Sequence, residues 1–513
     1  MIRPRAIPEM KTFSTRAVRA IVFLSAAFWL VIGSLANLYA RAGGAGGGGG
    51  HSSGGHSGGF SGGGGSSYGG GSYYYGPRGS LGGSIFGIFC FLIVLAIIIV
   101  LVILILRNKS TEGVRYSDVE IQPPSLDRSS MAAFLAANPG FSIEEFNHKV
   151  GEAFLQIQAA WTAQDLSGVR RFISDGIYQR FATQFRMMGQ LKQRNVLGNI
   201  RILDIKPVAA TKDGEYGVIQ VFIRAAMSDS FVCELDHSLD TESNETFIEY
   251  WSFIRKQQPL KDDSDMYHKQ ACPSCGAPLP DDMGELCRCE YCKVVVNSGE
   301  FDWILSEITQ EEDYGDGSAM AAYVSPDLTQ NVADLTREAP DLAVQLIEDK
   351  ASNAFLQIMT ALATRDPAVV RRFVSDEALA SITGLIPEQA VVFNRLYLNE
   401  AVLLGARRLE SRHALDVGMT ASLQRVRLAS RGFTPVDDDI IQSGYVVTLE
   451  RDAAAVPNKG ALYQHQCPNC SGAVGDTLDL NCQYCGVPLN SMKNEWIVTR
   501  FSLIGNYLAA RRG

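Results

Sequence analysis

The stretch Phe154–Asp175, FLQIQAAWTAQDLSGVRRFISD, returns further along the chain as Phe355–Asp376, FLQIMTALATRDPAVVRRFVSD, and the two align without a gap at twelve identities in twenty-two positions. Chance does not produce such a match, so the chain carries an internal duplication. Just upstream, Ser142-Ile143-Glu144-Glu145 has capping-box spacing, and Ile143, Phe146, Val150, Phe154, Ile157 and Trp161 follow at three- and four-residue steps. This predicts a long amphipathic helix running to about Ala163. Asp165 opens a short second helix ending near Ile173, and Asp366-Pro367 does the same in the second copy, with proline at the first helical position. Ser174-Asp175 introduces a third helix with Phe181, Phe185, Met188 and Leu191 on one face. After Gly198 the period changes to two, predicting strands over 200–208, 216–227, 230–235 and 246–255, with turn clusters such as Lys212-Asp213-Gly214 between them. The second copy has strand patterns over 401–409, 420–428 and 444–450. Helices followed by a meander of strands make an α+β domain with an antiparallel sheet, used twice.

Each copy is followed by a cysteine-rich stretch. Tyr267–Trp303 holds five of the eleven cysteines, and Tyr463–Trp496 repeats the pattern as Cys467, Cys470, Cys482 and Cys485. Two C-x2-C pairs a dozen or so residues apart put four thiolates on two short knuckles, the tetrahedral sulfur set that Zn2+ takes in closed structural sites. Aligning Glu290-Tyr291-Cys292 on Gln483-Tyr484-Cys485 places Cys289 opposite Cys482 and leaves Cys287 without a counterpart. The expected ligands are therefore Cys272, Cys275, Cys289 and Cys292 in the first ribbon, with Gly276 and Gly486 supplying tight turns after a knuckle. Redox chemistry by these pairs is the rival reading, but two pairs per ribbon and no thioredoxin-like βαβ context count against it.

At 513 residues the chain exceeds one core. Its charge is uneven: residues 1–110 carry nine Lys/Arg against Glu9, or plus 8, and with minus 9 overall the remainder is minus 17. Acidic surroundings, including Asp281, Asp282, Glu285 and Glu290 beside the first ribbon, argue against a general nucleic-acid role. The first 42 residues have a basic start, an apolar run from Ala20 to Leu35 and the tripeptide Ala40-Arg41-Ala42, the layout of a signal peptide or of an uncleaved first span. Residues 43–83 are nearly all Gly and Ser, a disordered composition in which His51 and His56 read as incidental. Residues 85–106 are 22 without a charge, long enough to cross a bilayer core as a helix, and Arg107 and Lys109 behind them place the remainder in the cytoplasm. A reducing compartment also suits free thiolates.

The long helix, the short helix bearing V-R-R-F-I-S-D (Val169–Asp175, with Arg371-Arg372-Phe373 shared in Val369–Asp376), the third helix and the antiparallel sheet together resemble the Tim-forty-four-like domain, named for the tether subunit of the mitochondrial inner-membrane translocase. The resemblance covers Phe141 to Lys256 and, less closely, Asp341 to Asp452. Bacterial members are similar in carrying an N-terminal hydrophobic segment, a Gly-rich stretch and a membrane helix ahead of the domain; interleaved ribbons are a departure from the translocase tether. The resemblance implies a cone-shaped fold of the nuclear-transport-factor-two-like kind, with helices on a curved sheet around an apolar pocket, and a membrane role in binding lipid or protein.

The resulting expectation is a bacterial-type inner-membrane protein, not an enzyme. Its predicted plan is a signal or first span (1–42), a Gly/Ser segment (43–83), a transmembrane helix (84–106), a tether (107–139), a first domain (140–258), a zinc ribbon (266–305), a linker (306–338), a second domain (339–455), a second zinc ribbon (462–500) and a tail (501–513). Phe154, Ile157, Trp161, Phe172, Phe181 and Phe185 are core residues first, with a pocket role implied only by the resemblance. Arg170-Arg171 and Arg371-Arg372 read as a solvated face or an intradomain ion pair, with anionic lipid headgroups as the alternative. A hydrolase or isomerase would draw on Asp204, Asp236, His237 or Glu249, which lie scattered at no interpretable spacing.

Overall fold

The computed structural model describes residues 40–41, 44–45, 128–257, 265–281, 283, 287–455, 467, 469–470 and 480–512. The predicted signal or first span, the Gly/Ser segment, the apolar stretch 84–106 and most of the tether therefore lie outside the described residues. Among the described residues no helix is long and apolar enough to cross a membrane.

The first repeat opens with α1 (Arg128–Ala137), which falls in the predicted tether, and continues with α2 (Ile143–Ala163). The capping box closes as its sequence requires: the Ser142 hydroxyl accepts the Glu145 N–H at 3.2 Å. Helix α2 ends at Gln164 in the left-handed region, φ 54°. A 3-10 turn, Arg170–Phe172, leads to α3 (Asp175–Gln190), capped by Ser174. Strands β1 (Gln193–Asp213), β2 (Tyr216–Cys233) and β3 (Thr241–Lys256) then form an antiparallel meander. Strand β2 runs through Ser228-Asp229-Ser230, where the sequence suggested a break. Both its neighbours pair there, Gly198 on one side and Asn244 on the other, so the ladder overrides the local polarity.

The predicted plan is corrected at the ribbons. Strand β4 (Ile304–Gln310) follows the first cysteine-rich stretch and completes the sheet in the order β1-β2-β3-β4. The ribbon is thus inserted between the third and fourth strands rather than appended to a finished domain. Seven residues read as the end of a ribbon and the start of a linker bury their apolar side chains on the sheet. The rest of the predicted linker holds α4 (Leu328–Glu338).

The second repeat follows the same plan: α5 (Val344–Thr364), a 3-10 turn Pro367–Val370, α6 (Asp376–Gly384), then β5 (Val392–Arg408), β6 (Arg412–Leu428), the short β7 (Phe433–Pro435) and β8 (Ile441–Asp452). Strand β9 (Ile497–Leu503) lies beyond the second ribbon and pairs with β8, giving the order β9-β8-β6-β5, and α7 (Ile504–Arg512) occupies the predicted tail.

The halves interlock. Met187 and Leu191 of α3 belong to the core of the second repeat, and Tyr397 of β5 belongs to the core of the first. Ala343 stands where Ser142 stands in the first copy and has no side chain to cap α5. Asp213, at the end of β1, supplies that cap instead, accepting the Val344 N–H at 2.7 Å and the Gln345 N–H at 2.8 Å. The next residue, Gly214, sits at φ +57°, and a Cβ there would meet the Leu342 carbonyl at 2.5 Å, so the approach requires glycine. At the same joint Asp349 accepts from the Ser174 hydroxyl and from the Gly176 N–H at 3.2 Å. Asp175 and Arg180 are buried beside it, Glu307 and Glu348 are half-buried close by, and desolvation pushes the Asp349 carboxyl up to about 7.

Two predictions follow from the joint. Asp213→Ala, which leaves two helix N–H groups without acceptors, lowers stability by about 1–2 kcal/mol, read as a shift in the denaturant midpoint. Because the folded-state carboxyl of Asp349 titrates above its usual 3.8, its contribution is present at low pH and is lost as pH rises through about 7. Denaturant midpoints measured at pH 5 and pH 8 differ less in Asp349→Asn than in the parent chain.

Candidate functional site

The ribbons are held at their stems. Tyr267 is fully buried: its ring stacks on Phe172 at 4.8 Å, its hydroxyl donates to the Trp303 carbonyl at 2.6 Å, and its own carbonyl accepts from Arg171 at 2.9 Å and Gln156 at 3.0 Å. Arg171 also donates to the carbonyls of Met266 and Gly168. Asp302 accepts Lys149 at 2.7 Å and the Trp303 N–H at 2.9 Å. The second repeat preserves this acid–lysine tie as Lys350–Glu495, 2.7 Å, beside Trp496. Sequence reasoning passed over the tie because Lys149 sits on an ordinary helix face more than 150 residues from its partner. The matching positions in both copies were the available signal.

Backbone strands complete the stems. The Ser174 N–H donates to the Leu305 carbonyl at 2.8 Å and Ser375 to Val498 at 2.9 Å, so Ile173 and Val374 each make a parallel bridge to the strand leaving the ribbon. The repeated arginines serve this corner. Arg170 is 1% exposed and pairs with Asp175 at 2.5 Å, while Arg371 pairs with Asp376 at 2.7 Å in a more open setting. The intradomain ion pair is the arrangement observed. Arg170 and Arg171 are buried and have no face for lipid headgroups.

At the ribbon tips the thiols converge. In each ribbon all four sulfurs lie within 4.8 Å of one another: Cys272, Cys275, Cys289 and Cys292, and Cys467, Cys470, Cys482 and Cys485. Cys272 and Cys292 are 3.6 Å apart, as are Cys467 and Cys485. The knuckles owe their shape to backbone hydrogen bonds. Gly276 donates to the Cys272 carbonyl at 2.8 Å with φ +76°, and Gly486 donates to Cys482 at 2.8 Å with φ +72°. Lys293 takes the corresponding left-handed place after Cys292, φ 63°. Cys287 turns away from the cluster: its thiol donates to the Arg170 carbonyl at 3.5 Å, and burial pushes it up to about 11. In the second ribbon the Val487 N–H holds the exposed Cys485 thiol down at about 6, favouring the thiolate a metal requires. Four soft donors closed on themselves fit a thiophilic, tetrahedral ion and leave no open position.

The remaining sequence candidates fall elsewhere. Phe154, Ile157, Trp161, Phe172 and Phe181 fill the first core, with Phe185 half-buried at its edge and the Trp161 ring 5.7 Å from Phe181 and 5.4 Å from Phe185. The Trp161 indole donates to Asn195 at 2.8 Å. Asp204 pairs with Lys206, Asp236 caps its own turn, His237 pairs with Asp240 in solvent, and Glu249 is buried, accepting from Trp251 and Gln310. These residues lie on three separate elements and form no catalytic group together. A cavity missed by the sequence opens beside α1, with a volume of about 960 Å³. Phe134, Phe141 and Trp303 line it, together with Lys212, Arg255 and Lys256.

Comparison with known proteins adds to this geometry. Residues 128–267 match the Tim44-like domain. The match starts at α1, beyond the Phe141 boundary read from sequence, and ends at Tyr267 in the ribbon stem. No curated protein matches the chain. Among solved structures, an "Ntf2 like protein involved in plasmid conjugation" aligns at 10% identity over 53% of this chain and 80% of its own, with a TM-score of 0.13.

The sulfur geometry makes a direct prediction. With Co2+ offered to both sulfur clusters, Cys289→Ser loses about half of the thiolate-to-cobalt absorption and Cys287→Ser keeps all of it, measured by ultraviolet–visible spectroscopy.

Proposed function

We propose that the protein is a membrane-anchored binding module, not an enzyme, that carries two structural Zn2+ ions and captures an anionic amphiphile such as a phospholipid at the cytoplasmic face of an inner membrane. The match of residues 128–267 to the Tim44-like domain carries the reading at the level of a membrane-associated tether. The cavity beside α1 supports the finer part. Its aromatic floor of Phe134, Phe141 and Trp303 suits an acyl chain, and Lys212, Arg255 and Lys256 suit a phosphate-bearing head. Helix α1 begins about twenty residues after the uncharged stretch 85–106, the stretch whose composition suits a membrane span.

Zinc follows from the donor set. Four cysteine thiols per ribbon match the closed four-sulfur structural site, and in the second an ion would organise knuckles whose cluster, among the described residues, is Cys467 and Cys482 packed by Val487 and Leu489. A ribbon inserted between adjacent strands makes the metal a fastener for the sheet, beyond its role in the tip.

The test is native mass spectrometry of the full chain released from membranes in mild detergent. Co-purified anionic phospholipid in the parent, reduced about tenfold or more by Lys212→Glu combined with Phe134→Glu, is the expected result, since removing a charge contact and an apolar wall each costs on the order of 1 kcal/mol. A bound peptide or a small polar metabolite in place of lipid would overturn it.

A further inference from the structure

We propose a third metal site, distinct from both sulfur clusters, formed by His148, Glu152 and His268 for a borderline divalent transition ion such as Zn2+. His148 and Glu152 are four residues apart on α2, so they project from one face of that helix. His268 comes from the segment entering the first ribbon, directly after the buried Tyr267. One donor atom from each of the three lies within 4.8 Å of the others, and the two imidazole rings are 5.5 Å apart, centroid to centroid. Donors around a bound zinc stand about 3–3.5 Å from one another, given metal–ligand bonds of roughly 2.0–2.2 Å. Small side-chain rotations of exposed rings close that gap.

A second observation points the same way. The Nδ1 atom of His268 lies 2.9 Å from the Asp265 carboxylate, which also accepts the His268 backbone N–H at 3.1 Å. A carboxylate receiving one ring N–H fixes the tautomer and leaves Nε2 as a lone-pair donor, the arrangement that supports metal-bound histidines. Two imidazoles and one carboxylate form a three-ligand set with a position left for water. The site uses two of the chain's seven histidines and no sulfur. It is also absent from the second repeat, where Asp349 and Asn353 occupy the places of His148 and Glu152 and face the joint between the halves.

An ion here links α2 to the ribbon entrance, the stem that Arg171 and Lys149 also hold. Unlike the closed sulfur clusters, it is open to solvent and exchanges with the medium, so its occupancy follows the free metal concentration.

The experiment is metal titration of the full purified chain after both sulfur sites are loaded, with Zn2+ alone as the probe. Bound metal is counted by inductively coupled plasma mass spectrometry after rapid desalting, and affinity is read by competition with a chromophoric chelator. A third equivalent is expected in the parent. It is lost in His148→Ala and in His268→Ala, while Asp265→Asn binds it about 10–100-fold more weakly as a positioning residue. The sulfur-bound Co2+ absorption stays unchanged in all three variants, which shows that the ribbon still folds. Two equivalents only in the parent, or a third that survives both histidine substitutions, would overturn the proposal.

Discussion

The architecture depends on one backbone contact made twice. In each repeat the loop ending the 3-10 turn reaches across as a parallel bridge to the strand that leaves the ribbon, Ile173 to Leu305 and Val374 to Val498. The hydrogen bond itself is an ordinary one, worth about 0.5–1.5 kcal/mol net. Its importance is positional. It brings the far end of a long insertion to the corner where the helices meet the sheet, and the last strand can then add to the ladder. The serine that donates this bond also caps the next helix with its side chain, so strand closure and helix initiation share one residue. The serine shared by R-R-F-I-S-D and R-R-F-V-S-D therefore has the same two tasks in both copies.

The helical half of the fold was legible because its signals are local. Ser142, Asp165 and Ser174, with Asp366 and Ser375 in the second copy, cap where their spacing says they cap, and Phe146, Val150, Phe154, Ile157 and Trp161 of α2 fall on the buried face. The duplication singles out Cys287 in the alignment, and the fold turns its thiol towards Arg170 while the other four sulfurs of that ribbon converge. What escaped was non-local. Ile304–Gln310 and Ile497–Leu503 are short apolar runs next to cysteine knuckles, and no pattern within seven residues reveals that the strand they pair with precedes the ribbon. Long-range ion pairs such as Lys149–Asp302 and the cavity beside α1 have the same character: each is created by the return of the chain.

The ribbons are consequently part of the domains they interrupt. Buried Tyr267 and Trp303 connect the first to the aromatic core, and Cys287 and Met283 pack with Ile254 and Ile304 beneath its knuckles. Sulfur cluster, stem and sheet are therefore continuous.

The cap that Asp213 provides to α5 bears on how the chain is made. Synthesis delivers the first repeat before the second, and the acceptor that starts the second repeat's longest helix is already in place at the end of β1 when Val344 and Gln345 emerge. The older half thereby acts as a seed for the newer one, and the two copies, once equivalent, have acquired an order. With Ala343 where the first copy has Ser142, and the carboxylate of Asp213 in its stead, the two copies form a directional pair that is read from its amino end.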